Sequence, residues 1–372
     1  MMIEQIHAKI ESLMPDILKS IQRMVAIESV ESEPLPDAPY GIGPKRALDE
    51  ALAISAELGF TTKNIDNKIG YAQYGDGDGD YIGIFGHVDV VPLGKGWIHN
   101  PLGGEIDGER IYGRGVLDNK GPIITNLYAL YAMKELGIKF KLPVRIVFGT
   151  NEETGFKCVQ HYLTKEKPPV FGWTPDCKWP VVYGERGRGL IRIVNKGNRA
   201  NFYQYLNDFI LSSPNNGVKL GINVKDDDFG ELIMRGYTMG IDDNGYDYFQ
   251  MALSYPAVKG IVELGDIIAS TMPEGIVYQL IHNWDPVLND KHSKYIEPLT
   301  QSYAEVMGER LEPVTTTGGT YAKIIPNIIA YGPSFPGENG IAHLPDEWMN
   351  LEDIAMNAKI YGSALFHLAE IL

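Results

Sequence analysis

The sequence predicts an α/β fold: a mostly parallel sheet with helices on both faces, interrupted by a small α+β domain. Three observations predict it. Through the first half of the 372 residues, apolar runs short enough for buried strands alternate with helical patterns. Chemically reactive residues stand at the ends of those runs, where ligands gather in a parallel sheet. Between 184 and 282 the texture changes to short alternating runs, and helix–strand alternation resumes at 283. The expected division is therefore one domain from 1–183 and 283–372, with 184–282 inserted into it.

Each element has its own signal. Residues 2–26 place Ile6, Ile10, Leu13, Ile17 and Ile21 at helical spacing. A second helix is expected over 44–58, stopped by Gly59. A strand-like stretch follows near 60–74. The run from Gly75 to Asp80 alternates glycine and aspartate but lacks the bidentate glutamate of a calcium loop, so a solvated hairpin turn is expected there. YIGIFGHVDVVP, starting at Tyr81, is a buried strand ending in charged residues. The helix expected over 120–136 places Ile123, Leu127, Leu130 and Tyr131 on one face, with Pro122 in its first turn and Gly137 at its stop. LPVRIVFGT (142–150) is another buried strand. LIRIVNKG, GELIMRGYTMGI and DYFQMALSYP read as strands of an antiparallel sheet. The last helix, 351–370, starts at the N-cap Asn350 and turns Ile354, Tyr361, Leu365 and Leu368 inward.

Composition narrows the partners. A net charge of −15 repels nucleic acid and anionic membranes. Two cysteines, Cys158 and Cys177, exclude a disulfide scaffold and fit a reducing compartment. The N-terminus has no basic stretch leading into an apolar one, and no run approaches the ~18 apolar residues of a membrane span. The cytoplasm is the expected location.

The chemistry-bearing residues are modest one by one. His87 and Asp89 are placed at alternate positions of a strand end, so that a carboxylate could hold the imidazole's second nitrogen. Asp118 follows the glycine-rich YGRGVLDNKGP, where an N-cap role would explain it. Glu152 and Glu153 end a buried strand, and paired acids there are costly unless a cation neutralises them. Asp176, in TPDCKWP, and His343, in GIAHLPDEW, complete a set of imidazoles and carboxylates suited to Zn²⁺ and to metal-assisted hydrolysis.

Six motifs then follow in order: GHVDVVPLGKGW, YGRGVLDNKGP, GTNEETG, PDCKWPVVYGERG, TTGGTYAK and GPSFPGENGIAHLPDEW. Together they resemble the dinuclear zinc exopeptidases related to aminoacylase, most closely the peptidase V type of dipeptidase. The resemblance spans nearly all of 1–187 and 282–372. It implies two Zn²⁺ ions, with Mn²⁺ or Co²⁺ as substitutes. His87 and Asp176 would hold one ion, Glu153 and His343 the other, and Asp118 would bridge them. Asp89 would orient His87, and Glu152 would be the general base. It also implies a cis bond between Asp118 and Asn119, and a substrate-side loop at Gly318, Gly319 and Thr320.

The inserted domain would be the family's lid, and here it departs from the pattern. Such lids carry a histidine that stabilises the tetrahedral intermediate, yet 184–281 contains none. His282, at the expected boundary, is the nearest substitute. The R-Y-P tripeptide whose arginine holds a substrate carboxylate reads Ser254-Tyr255-Pro256, leaving Arg186 or Arg188 as stand-ins. The expectation is a monomeric or homodimeric hydrolase of dipeptides, with slow turnover. The alternatives are an N-acyl amino acid deacylase or a catalytically impaired zinc-binding paralogue.

Overall fold

The structure is a computed structural model and describes residues 2–372. The chain folds into two compact units. The first comprises 1–182, 291–313 and 320–372; the second comprises 183–290 and 314–319.

The first unit is built on a sheet whose central strands are parallel. Val144–Gly149 lies between Ile69–Tyr74, antiparallel, and Ile82–His87, parallel. Ile82–His87 continues parallel to Phe171–Thr174, which runs parallel to Ile328–Tyr331. Register shows that helices cover both faces. Gly70, Phe148 and Gly86 align across three strands and so face the same way. On that side Leu48 and Leu52 of helix Ile42–Glu57 approach Gly70, and Ile123 of helix Lys120–Glu135 approaches Gly86. Tyr71, Val147 and Phe85 align on the opposite face, where Tyr162 of helix Lys157–Leu163 meets Phe85 edge-on at 5.5 Å. His87 shares that second face, because it is two residues beyond Phe85.

Helix boundaries fall within a few residues of expectation: Met2–Val25, Ile42–Glu57, Lys120–Glu135 and Leu351–Ile371. Two turns differ. The stretch 60–74 is two strands, Thr61–Ile65 and Ile69–Tyr74, paired antiparallel around Asp66 and Asn67. Those residues take φ of 55° and 54°, a left-handed conformation that short polar side chains tolerate. The Gly75–Asp80 run is not a hairpin turn. Both edges of Ile69–Tyr74 are already occupied, by Thr61–Ile65 and Val144–Gly149, so Ile82–His87 must pair on the far side of Val144–Gly149.

The second unit has an antiparallel sheet of Ile233–Ile241, Asp247–Tyr255, Gly187–Asn195 and Ile276–Trp284, in that order. One face carries Ile191, Ile193, Phe249, Met251 and Leu253, packed into a core with Phe202 and Leu206 of one helix and Leu264 and Ile268 of another. His282 belongs to this unit, which runs on to 290. It lies in its edge strand, opposite Leu190, exposed and edge-on to Trp284 at 4.2 Å. Strand alternation here runs on past 282, so a change of texture could not mark the boundary. Among the described residues, no helix is long and apolar enough to cross a membrane.

Candidate active site

His87 ends its strand fully buried. Its Nδ1 lies 2.9 Å from the backbone carbonyl of Asp89. A carbonyl only accepts, so Nδ1 carries a proton, which leaves Nε2 as the nitrogen turned toward Asp118 and Asp176. Nε2 lies 3.0 Å from Asp118 Oδ1 and 3.7 Å from Asp176 Oδ2. Asp118 Oδ2 lies 2.9 Å from Nε2 of His343, and Glu153 Oε1 lies 3.2 Å from the same nitrogen. One carboxylate thus has an imidazole on each oxygen. The Asp118–Asn119 peptide bond is cis.

Two groups of side chains bring ligand atoms within 4.8 Å of one another: His87, Glu152 and Asp176, and His87, Asp118 and Glu153. Thus the structure brings together His87, Asp118, Glu152, Glu153, Asp176 and His343, which arise from strand ends and loops up to 256 residues apart in sequence.

Asp89 meets His87 through its backbone carbonyl and has a second task. The strand ends at His87, and the imidazole N–H goes to the Asp89 carbonyl, with the carboxylate Oδ1 3.6 Å away. The other oxygen, Oδ2, accepts the backbone N–H groups of Glu152 (2.8 Å) and Glu153 (3.1 Å). Asp89 therefore fixes the loop that carries both glutamates.

Electrostatics follow from burial and crowding. Burial, reinforced by Asp118, pushes Asp176 up to about 7. Burial, then the Asp176 charge, raises Glu152 well above the carboxylate range. Burial also raises Glu153, against its hydrogen bond from His343. Burial would raise Asp118 too, but the hydrogen bonds from His343 and His87 outweigh it and hold it low. Hydrogen bonds to Asp118 and Glu153 raise His343 to about 10. Asp118 and Asp176 pair with His87, and Asp118 and Glu153 with His343. Four acids so placed form a set that divalent cations neutralise.

Two supporting residues escaped the sequence reading. Asn119 donates from Nδ2 to the Pro175 carbonyl (2.5 Å) and accepts the His87 N–H (3.3 Å), tying together three segments of the site. Glu347, completely buried, receives the amides of the loop before Asp118. Their only signal was adjacency to Asp118 and to the His343 motif.

The expected substrate loop divides between the units. Gly318 and Gly319 belong to the second, where the Gly318 N–H reaches Thr316 Oγ1 at 3.3 Å. Thr320 belongs to the first, and its Oγ1 caps the short helix Tyr321–Lys323 by accepting from Ala322 N. In the second unit, Ser254 sits in a strand opposite Arg188, its side chain buried. Arg186 is committed to backbone carbonyls: Nη1 to Phe229 (2.9 Å), Nη2 to Ser254 (3.1 Å) and to Glu231.

Comparison with known proteins accords with this picture. Residues 83–367 match the model of peptidase family M20/M25/M40, and the chain belongs to that family. The protein named "Putative dipeptidase YtjP" of Bacillus subtilis (strain 168) is 26% identical, over 95% of this chain and 97% of that one. That match extends over 456 positions against the 372 residues here, so the relative carries stretches this chain lacks. "Putative dipeptidase MW1694" of Staphylococcus aureus (strain MW2) is 25% identical, over 97% of this chain and 98% of that one. Among solved structures, the di-peptidase Dug1p from Saccharomyces cerevisiae superposes with a TM-score of 0.71 at 15% identity, covering 99% of this chain and 98% of that one. Human carnosine dipeptidase 1 does so with a TM-score of 0.69 at 14% identity, covering 99% and 100%. At such identities the structural likeness is one of fold.

Proposed function

We propose, from that membership as premise, that the chain is a two-zinc hydrolase cleaving the amide bond of dipeptides. The observation that carries the reading is the Asp118 carboxylate, with His87 on one oxygen and His343 on the other. The donor set fits the metal: imidazole nitrogens and carboxylates suit Zn²⁺, and burial, followed by the neighbouring carboxylates, raises Asp176 and Glu152 in a way a dication would offset. His87 and Asp176 would hold one ion, Glu153 and His343 the other, and Asp118 would be shared. Bound there, the ions would supply Lewis acidity and make water a stronger acid.

The chain's own residues do the rest. Glu152 lies within ligand distance of His87 and Asp176, yet its neighbour Glu153 is the glutamate bonded to His343. It is therefore the free carboxylate that takes a proton from the attacking water. The water oxygen bonds to the acyl carbon, the C–N bond breaks, and Glu152 returns the proton to the leaving amine. Asp89 holds Glu152 and Glu153 in place through their amides. The enzyme would act on small peptides in the cytoplasm, as a monomer or homodimer.

A second reading, an N-acyl amino acid deacylase or an impaired paralogue, draws on the second unit. Residues 184–281 contain no histidine, Ser254 replaces an arginine, and Arg186 is bonded to carbonyls. Turnover of ordinary dipeptides should therefore be slow, since losing one oxyanion donor costs ~10²–10³ in rate. Steady-state kinetics of zinc-loaded protein on a panel of dipeptides and N-acyl amino acids test this. The reading expects measurable hydrolysis, with kcat/KM on dipeptides below ~10⁴ M⁻¹s⁻¹, the lower end of the usual enzyme range. No hydrolysis of any amide in the panel would reject catalysis itself.

A further inference from the structure

Glu347 has no assigned role in the chemistry above, yet it is the most fully engaged carboxylate near the site. Its side chain is 0% exposed. Oε1 accepts three backbone N–H groups, from Gly115 (3.0 Å), Leu117 (2.9 Å) and Asp118 (3.0 Å). Oε2 accepts Nη1 of Arg114 at 2.7 Å, and the Glu347 carbonyl accepts the Gly113 N–H at 3.0 Å. The 113–118 loop thus wraps one carboxyl group, aided by Gly115 at φ +89°, where a Cβ would meet Val90 and Lys120 at about 3 Å.

Two features make this more than a buried ion pair. The loop ends at the amide of Asp118, the residue whose carboxylate meets both imidazoles. The carboxyl group also lies four residues after His343 in the chain. The adjacent Asp346 points elsewhere and accepts the amides of Ile98 and His99 at 3.0 Å each, pinning the other side of the same segment. Asp118 and His343 come from loops 225 residues apart in sequence, and Glu347 is where those loops are joined.

We propose that Glu347 is a positioning residue for the metal pair: it locks the Asp118 loop to the His343 segment, so that the shared carboxylate and the second imidazole meet in one geometry. The proposal rests on the two-metal reading. Its chemistry is specific to a carboxylate. A glutamine has one acceptor oxygen and one NH₂. With the oxygen on the three amides, the NH₂ faces the Arg114 guanidinium; reversed, it faces the amides. Either way donor meets donor and the loop loosens.

The test compares Glu347→Gln with Glu166→Gln. Glu166 also partners a buried arginine, Arg145, at 3.0 Å in the same unit, and Lys63 at 2.5 Å, so its variant loses at least as much charge pairing as Glu347→Gln. Zn²⁺ affinity is measured by competition with a chromophoric chelator, alongside thermal unfolding and steady-state kinetics. Both variants should unfold at lower temperature. Only Glu347→Gln should lose 10–100-fold in metal affinity, the usual range for a group behind a ligand, with kcat falling and KM little changed. Should Glu347→Gln fail to fold, Glu347→Asp keeps the charge but is one methylene short, and metal affinity should fall several-fold. Wild-type affinity in a folded Glu347 variant, or equal affinity loss in Glu166→Gln, overturns the proposal. A wild-type protein that takes up no metal overturns the two-metal reading and the proposal together, and is recognised before any variant is made.

Discussion

The two units of this protein hold their polar groups for opposite ends. In the first, acids and imidazoles converge: Asp118 meets two histidines, Asp89 holds two glutamate amides, and Glu347 holds three amides of one loop. In the second, the most buried cation, Arg186, spends its guanidinium on three carbonyls of its own unit, and the serine at 254 faces Arg188 within the sheet. The first unit bears the cost of gathering like charges, a cost that a bound cation offsets. The second satisfies its polar groups locally, as a scaffold does. The difference teaches that one chain can gather its ionisable side chains into a single cluster in one unit while the other unit satisfies its polar groups within its own sheet.

Substitutions can break or sharpen this contrast. The largest effect is expected from Glu152→Gln. It should lower kcat by ~10²–10⁴ and leave zinc content near that of the wild type, since the proposal makes Glu152 a base and not a ligand. Elemental analysis showing equal zinc loss in Glu152→Gln and Glu153→Gln would sink the division of roles between these neighbours. Next comes Asp89→Asn. Its NH₂ group would face either the two glutamate amides or the back of the site, and metal affinity or activity should fall by ~10–100-fold. Unchanged affinity and kcat would show that the loop stands without it.

In the second unit the effects should move from rate to stability. Arg186→Met leaves three carbonyls without their donor and should cost about 1–3 kcal/mol of stability, with zinc content intact. A denaturant melt that coincides with wild type would show that Arg186 does not hold the unit. The smallest effect is expected from His282→Ala. His282 is exposed on an edge strand, and the substitution should change kcat/KM by less than ~3-fold. A loss of ~10²–10³ would instead assign it the missing oxyanion contact and restore substrate chemistry to the second unit.

How much of this was readable beforehand varies with the kind of interaction. The parallel core and its helices were legible because burial writes period and length directly into residues such as Ile6, Ile10 and Leu13. The site side chains were legible because strand ends and glycine turns flank them. The turns misread at 60–80 depended on which strand edges were already taken, a property of the whole sheet. The boundary was set too early, at 282, because the strand Ile276–Trp284 runs through it. Asp89, Asn119 and Glu347 act through backbone amides and carbonyls, which carry no residue identity, so their partners could not be read from the sequence.

The central claim is that Asp118 joins two metal sites in the first unit. Crystals of zinc-loaded protein, with anomalous diffraction collected at the zinc edge, test it most directly. Two ions ~3.5–4 Å apart, with Asp118 between them, His87 and Asp176 on one and Glu153 and His343 on the other, are the predicted result. A single ion at full occupancy, or two ions with His343 bound to neither, would contradict it.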